Sequence, residues 1–391
     1  MGDESGFLPY PKGFATAVCQ LTRKQQQYST ASMVFPEDNP VLKPLDSQRL
    51  DDECLETSVG SPARDILEKT LAHLENGRYG VCFSSGSSAI STCISLLNKS
   101  DHVICVNDIY GGTRLQLEKI AKKYGVETTF VDIEAECFEK AVQSKTKMIW
   151  IESPTNPSLH VLDIEAISRI AKEHNLILTV DNTFLSPYLQ RPLNFGADIC
   201  IHSMSKYLNG HSDVIMGAII TNHEQIYKDV KLLRQMKGDY PSNFSCSQVL
   251  TSLATLPLRM RRHCENSMMI AQYLENHPKV DKVIHPGLPS HPKYELTKKQ
   301  TSGHSGIITI YLKGNFDTTK KFVKGLKVIM YAASLGDYAT LVEIPSRLSH
   351  EYVSPEDKKK LNYTDNMIRI SVGLEDPEDL IEDLREALAE L

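Results

Sequence analysis

Two rhythms of apolar and polar positions run along this chain. Short apolar runs, rich in β-branched residues, read as buried strands: His102–Val106, Lys147–Glu152 and Leu176-Ile-Leu-Thr-Val180. Tyr79–Phe83, Glu127–Val131, Ala197–Ile201 and Val214–Ile220 read the same way. Between them, apolar residues recur at helical spacing. One helix carries Ile66, Leu67, Leu71 and Leu74 and opens at Ser61-Pro62, a cap followed by a first-turn proline. Another follows Asp163 and carries Ile164, Ile167, Ile170 and Ala171. Helices are also expected from Ser84–Ala89 to Leu97 and over Thr113–Tyr124. Such alternation predicts an α/β fold, a mostly parallel sheet with helices on both faces, forming a large domain over residues 61–250.

The rhythm changes after residue 225. Gln248–Leu258 and Arg262–Asn276 read as a long helical region broken near Pro257. Strands follow at Asp281–Ile284, Gly306–Leu312, Lys327–Met330, Thr340–Ile344 and Met367–Ser371, with helices at Thr318–Leu326 and Leu380–Leu391. This predicts a smaller C-terminal α+β domain over residues 251–391. Residues 1–60 show little period beyond a short helix around Ala15–Gln25 and are punctuated by prolines. They read as an N-terminal extended arm that packs on another domain or subunit.

Charge and cysteine content narrow the setting. A net charge of −6 and a pI near 6.1 argue against a nucleic-acid surface. The basic run Asp357-Lys-Lys-Lys-Leu361 reads as a solvated face. Nine scattered cysteines with no C-x-x-C suit a reducing compartment. No apolar run approaches the ~20 residues of a membrane span, and Met1–Ser5 lacks signal-peptide character. The expectation is a cytoplasmic protein with no membrane or nucleic-acid partner.

In a parallel sheet, ligands sit beyond the carboxyl ends of the strands. Ser85–Ser87, Tyr110, Glu152–Asn156, Asp181 and Lys206 all fall at such ends. Lys206 lies between two apolar runs, in His202-Ser-Met-Ser-Lys-Tyr-Leu-Asn-Gly-His-Ser-Asp213. A desolvated lysine has a lowered pKa, and its neutral amine can form a Schiff base. Asp181 stands one strand earlier, able to pair with a pyridinium nitrogen. Tyr110 offers a stacking face. Ser85, Gly86, Ser87, Ser203 and Ser205 offer donors to a phosphate, three of them in a Gly/Ser turn that opens a helix. Aldehyde, ring nitrogen, stacking face and phosphate are the four handles of pyridoxal 5'-phosphate. His202 and His211 read as structural.

These residues sit in motifs that resemble the Cys/Met-metabolism family of pyridoxal-phosphate enzymes of fold type I. The motifs are Asp108-Ile-Tyr-Gly-Gly-Thr113, Ile151-Glu-Ser-Pro-Thr-Asn-Pro157, Val180-Asp-Asn-Thr-Phe184, Ser203-Met-Ser-Lys-Tyr-Leu-Asn-Gly-His-Ser-Asp213, His285-Pro-Gly-Leu-Pro289 and Ile368-Arg-Ile-Ser-Val-Gly-Leu-Glu-Asp376. Within the family the chain is most similar to the cystathionine γ-lyases. The resemblance implies Lys206 as the catalytic Schiff-base lysine, Tyr110 as the stacking and catalytic tyrosine, and Asp181 on the ring nitrogen. It implies Gly86, Ser87, Ser203 and Ser205 on the phosphate, and Asn156, Ser334 and Arg369 on the substrate carboxylate. The activity implied is carbon–sulfur cleavage of cystathionine or a related sulfur amino acid, in a homotetramer with shared sites. The chain departs from the family at four places. Glu56 and Ser58 stand where relatives place a tyrosine and an arginine that reach a neighbour's phosphate. Leu115 replaces an arginine, and Ala333 a glutamate that steers the distal amino group of cystathionine. These departures leave two alternatives: a β-lyase-type elimination, or a catalytically weakened member with a binding or regulatory role.

Overall fold

The order of strands explains why so many polar residues collect at one edge. A computed structural model describes residues 6–19 and 61–391. Its first sheet has seven strands: β1 (Tyr79–Phe83), β2 (His102–Val106), β3 (Glu127–Val131), β4 (Thr146–Glu152), β5 (Ile177–Asp181), β6 (Ile199–Ser203) and β7 (Gly217–Thr221). They lie in the order β1-β7-β6-β5-β4-β2-β3. Pairing is parallel from β6 across to β3, and β7 runs antiparallel to both its neighbours. The mostly parallel α/β sheet expected from the sequence is therefore present.

Tertiary bonds shift some boundaries. Val214–Met216 was expected in a strand but leaves the ladder. Met216 instead accepts from the Met204 N–H at 2.9 Å and donates to Ser205 Oγ at 3.1 Å, which curls the chain over the Lys206 turn. The strand before that turn runs two residues further than expected, to Ser203. The helix Ser84–Leu97 is shorter than expected, Gly86–Ile94. The helix after Tyr110 opens two residues early, as Gly111–Leu115, and continues as a π turn over Gln116–Ala121.

The second sheet holds five strands: β8 (Val280–Ile284), β9 (Ile307–Leu312), β10 (Met330–Tyr331), β11 (Leu341–Glu343) and β12 (Met367–Ser371), ordered β10-β11-β12-β9-β8. Only β10–β11 is parallel in this sheet. A separate core forms beneath it from Ile270 and Leu274 of helix Leu256–Glu275, Ile308 and Ile310 of β9, and Leu380, Leu384 and Leu388 of helix Pro377–Ala389. Pro257 occupies the first turn of Leu256–Glu275, where a missing N–H costs nothing, so the break falls just before it, at Ala254–Thr255. Helices Ala135–Lys140, Glu224–Lys237 and Tyr294–Gln300 escaped the sequence reading. The basic run around Lys358 forms the short helix Pro355–Lys360, and its Asp357 pairs with Arg114 at 2.8 Å.

Residues 6–19 pack on their own chain. The Leu8 N–H donates to the Lys298 and Thr301 carbonyls at 3.1 and 3.0 Å, and Tyr10 stacks on Tyr188 at 5.0 Å. Residues 14–19 are helical, with Phe14 and Val18 buried. Glu56, Ser58 and the rest of the expected arm lie outside the described residues.

Candidate active site

One cavity of about 390 Å³ opens at the carboxyl ends of the strands, and every site residue expected from the sequence lines it. Gly86, Ser87, Tyr110, Asn156, Asp181, Ser203, Ser205 and Lys206 come from the first sheet's edge. Ser334 and Arg369 come from the second.

The turn after β1 forms one end. Ser85 caps helix Gly86–Ile94, its Oγ accepting from the Ser88 N–H at 3.1 Å. The first-turn N–H groups have no intrahelical acceptor, so those of Gly86 and Ser87 are available at the cavity wall. Two glycines permit the close approach. A Cβ on Gly86 would meet the Ser203 Cβ at 2.9 Å, and one on Gly217 would meet the Ser85 carbonyl oxygen at 2.3 Å.

Asp181 ends β5, with Oδ1 accepting from the Thr183 N–H at 3.0 Å. Glu152 is its register partner on β4 and accepts from the Tyr110 N–H at 3.1 Å. Burial pushes both carboxyls up, that of Glu152 strongly, with Asp181's charge adding to it. Glu152 Oε1 is buried without a hydrogen-bond partner among the described residues. Tyr110 leaves its ring partly open to the cavity, and a Cβ on Gly112 would strike that ring at 2.4 Å. Gly112 thus gives the ring room, while a Cβ on Gly111 would instead meet the Tyr352 hydroxyl at 2.6 Å.

Lys206 follows β6 in a turn held by its N–H to the Ser203 carbonyl (3.2 Å) and by the Gly210 N–H to its own carbonyl (2.7 Å). Its Nζ donates to Ser334 Oγ at 2.9 Å across the gap between the sheets. Desolvation first, and then the nearby Arg369 cation, pull its pKa from 10.5 to about 8. Arg369 on β12 donates to Asn156 Oδ1 at 2.9 Å and to the Ser334 carbonyl at 2.8 Å, and pairs with Glu343 at 2.9 Å. Arg369 Nε and Glu343 Oε2 are buried without partners among the described residues.

Sequence reasoning gave no role to Glu343, Ser349 or Tyr352. The latter two line the cavity, and Ser349 Oγ donates to Glu343 at 2.6 Å. No local pattern marks them, because they reach the site only through the second sheet. Glu152 was more accessible to inference, as it stands beside Asp181 in register. His202 behaves as a structural group: it is buried, 2.5 Å from Glu75. Leu115 is half-exposed, and its neighbour Arg114 is committed to Glu118 and Asp357, each at 2.8 Å. Ala333 lies in the cavity wall beside Ser334.

The family model described as "Cys/Met metabolism PLP-dependent enzyme" matches residues 26–389. Cystathionine gamma-lyase of Bos taurus is 41% identical over 385 residues, covering 98% of this chain and 95% of its own length. The Homo sapiens protein of the same name is also 41% identical, with the same coverage. Among solved structures, cystathionine gamma-lyase from Lactobacillus plantarum complexed with L-serine superposes with a TM-score of 0.83 at 37% identity, covering 91% of each chain. The metB protein of Corynebacterium glutamicum gives a TM-score of 0.88 at 36% identity, covering 97% of this chain and 98% of its own. With the sheet order, the half-buried lysine and near end-to-end similarity all in agreement, the chain belongs to the Cys/Met-metabolism family of PLP-dependent enzymes.

Proposed function

We propose that this enzyme is a carbon–sulfur lyase that cleaves cystathionine or a related sulfur amino acid with pyridoxal 5'-phosphate. One observation carries the reading. A half-buried amine of lowered pKa, Lys206, shares a cavity with a buried carboxylate, Asp181, and a buried guanidinium, Arg369.

The donor set suits the cofactor. Gly86 and Ser87 N–H groups with the Ser203 and Ser205 hydroxyls would hold its phosphate, and Tyr110 would cover its ring. Asp181 has no cationic side chain bonded to it among the described residues, so a protonated ring nitrogen would supply the charge its burial calls for. When bound, the cofactor supplies an electron sink for the carbanion at the substrate's Cα.

The protein's own residues do the rest. Arg369, Asn156 and Ser334 bind the substrate carboxylate; the guanidinium fork fixes its plane and so orients the Cα–H bond. Lys206 Nζ, with its pKa lowered to about 8, accepts that proton when neutral and can return it further along the substrate. The Ser334 hydroxyl, 2.9 Å away, holds the amine in place. Tyr110 and Tyr352 line the cavity with exposed rings.

The test uses purified protein and cystathionine. Lys206→Ala should abolish both the visible absorption of the lysine-bound cofactor and keto-acid release. An absorbing wild type that releases no keto acid from any sulfur amino acid would sink the reading. The product also decides the alternative: 2-oxobutyrate marks γ-cleavage and pyruvate β-cleavage. Ala333, in a wall that includes Ile215 and Leu348, keeps β-cleavage in view.

The two sheets support a large unit over residues 61–250 and a small one over 251–391, with the first core also drawing in Ile307, Tyr311 and Met367 of the second sheet. A homotetramer in the cytoplasm fits the exposed Met236 and Phe244, and the absence of a disulfide among the described residues, with cysteines such as Cys82, Cys105 and Cys200 buried and free. Among the described residues, no helix is long and apolar enough to cross a membrane.

A further inference from the structure

The turn that opens helix Gly86–Ile94 is gripped from behind by a residue that does not line the cavity. Asp239 Oδ1 accepts from the Ser84 N–H at 3.0 Å and from the Ser84 hydroxyl, while Oδ2 accepts from the Ser88 hydroxyl. One carboxylate thus takes three donors from the two residues that bracket Ser85, Gly86 and Ser87. It is well anchored itself. Helix Glu224–Lys237 ends at Gly238 in a left-handed conformation (φ 63°), and the Asp239 N–H donates to the Arg234 carbonyl at 3.0 Å. Tyr240 follows, with the Arg64 and Arg234 guanidinium groups each 4.9 Å from its ring centroid.

Two residues before Asp239, Lys237 Nζ reaches the far end of the same helix. It lies 3.2 Å from Thr92 Oγ1 and 2.9 Å from Oγ of Ser95, the C-terminal cap. The segment 237–239 therefore straddles helix Gly86–Ile94, with its anion at the positive end of the helix dipole and its cation at the negative end. On the other side, Gln116 Nε2 donates to the Ser87 carbonyl at 3.0 Å.

We propose that Asp239 is a positioning residue for the phosphate end of the cofactor. It locks the Ser84–Ser88 turn so that the Gly86 and Ser87 N–H groups already converge on the cavity before any phosphate arrives. The inference rests on the reading that the cofactor's phosphate sits at this turn. Its physical basis is preorganisation: a cradle of backbone N–H groups binds tightly only when no ordering remains to be done. Without the carboxylate, the Ser84 N–H and both hydroxyls lose their acceptor and the turn is free to re-form around other partners. Asp239 also brings a negative charge to a helix end that a phosphate favours, and this works against affinity. The asparagine variant separates the two effects, because it drops the charge but keeps an acceptor for the Ser84 N–H.

The experiment measures binding of pyridoxal 5'-phosphate and of unphosphorylated pyridoxal to the full chain stripped of cofactor, followed by visible absorption. The quantity read is the ratio of the two affinities. Asp239→Ala should lower that ratio by about tenfold or more, about 1.4 kcal/mol at tenfold, while leaving pyridoxal binding unchanged. Asp239→Asn should recover it to within about threefold of wild type. A Ser84→Ala/Ser88→Ala double variant, which keeps Asp239 and removes the hydroxyls, should move the ratio the same way and serves if Asp239→Ala does not fold. An unchanged ratio in Asp239→Ala or the double variant, or an equal loss for both ligands, overturns the positioning role. A wild type that binds both ligands equally overturns the phosphate assignment itself, and is recognised before any variant is made.

Discussion

Partial burial of Lys206 sets how much of its amine is neutral. With a pKa of about 8, roughly a tenth of the amine is neutral at pH 7, against about one part in three thousand at 10.5. Capture of pyridoxal 5'-phosphate by the cofactor-free protein should therefore quicken about tenfold per pH unit up to about 8 and level off above it. Stopped-flow absorbance across pH 6 to 10 would show this, and a rate still climbing towards pH 10 would place the amine in ordinary solvent. Arg369 makes the complementary case for geometry over charge. Arg369→Lys keeps the cation but loses the fork that engages Asn156 and the Ser334 carbonyl. Losing one charge-assisted bond costs about 1.5–3 kcal/mol, so KM should rise roughly ten- to hundredfold with cofactor affinity intact. The sequence made Lys206, Asp181 and Tyr110 legible because each stands at a strand end in a motif. Glu343 was not legible: its importance comes from a 2.9 Å contact with Arg369 on the neighbouring strand, and β11 is only three residues long.

At the level of elements, strands with strong apolar character were readable to the residue, as with β1, β2 and β12, and so was the β-branched, half-buried β3. Helix Glu224–Lys237 was not, because it buries little beyond Val230 and Arg234 and its apolar pattern is faint. β7 shows why boundaries fail. Its apolar run begins at Val214, but the Met216 bonds to Met204 and Ser205 hold the first three residues out of the ladder. That arrangement has a checkable cost. The Gly217 Cα approaches the Ser85–Gly86 backbone so closely that an added Cβ would lie 2.3 Å from the Ser85 carbonyl oxygen and 2.7 Å from its carbon. Backbone cannot swing aside as a flexible side chain can. Gly217→Ala should cost about 1–3 kcal/mol of stability in thermal or urea unfolding and weaken cofactor binding as well. A fully stable, fully loaded variant would mean that the turn tolerates displacement.

For the whole molecule, burial of histidines sets acid tolerance. Desolvation pulls His291 and His304 down to about 4, His263 and His350 to about 3, and His285 far below 6.5. Unfolding restores each towards 6.5, so below that pH the unfolded chain binds more protons than the folded one. Stability should be complete above about pH 6.5 and drain away as the pH falls towards 4 and then 3. Each histidine would contribute up to about 1.4 kcal/mol per pH unit inside its window. Glu68, Glu152 and Asp181, raised by burial, offset part of this in the opposite sense. Urea midpoints measured from pH 8 to 4 should fall; a flat profile would contradict the buried, neutral state of these imidazoles.

The bond from Lys206 to Ser334 joins positions 128 apart in the chain, and Arg369 comes later still. Synthesis thus delivers Lys206 and the first sheet's share of the cavity well before it delivers Ser334 and Arg369. The cavity is complete only once β12 has been threaded between β11 and β9, which brings Arg369 to face Lys206 and Asn156.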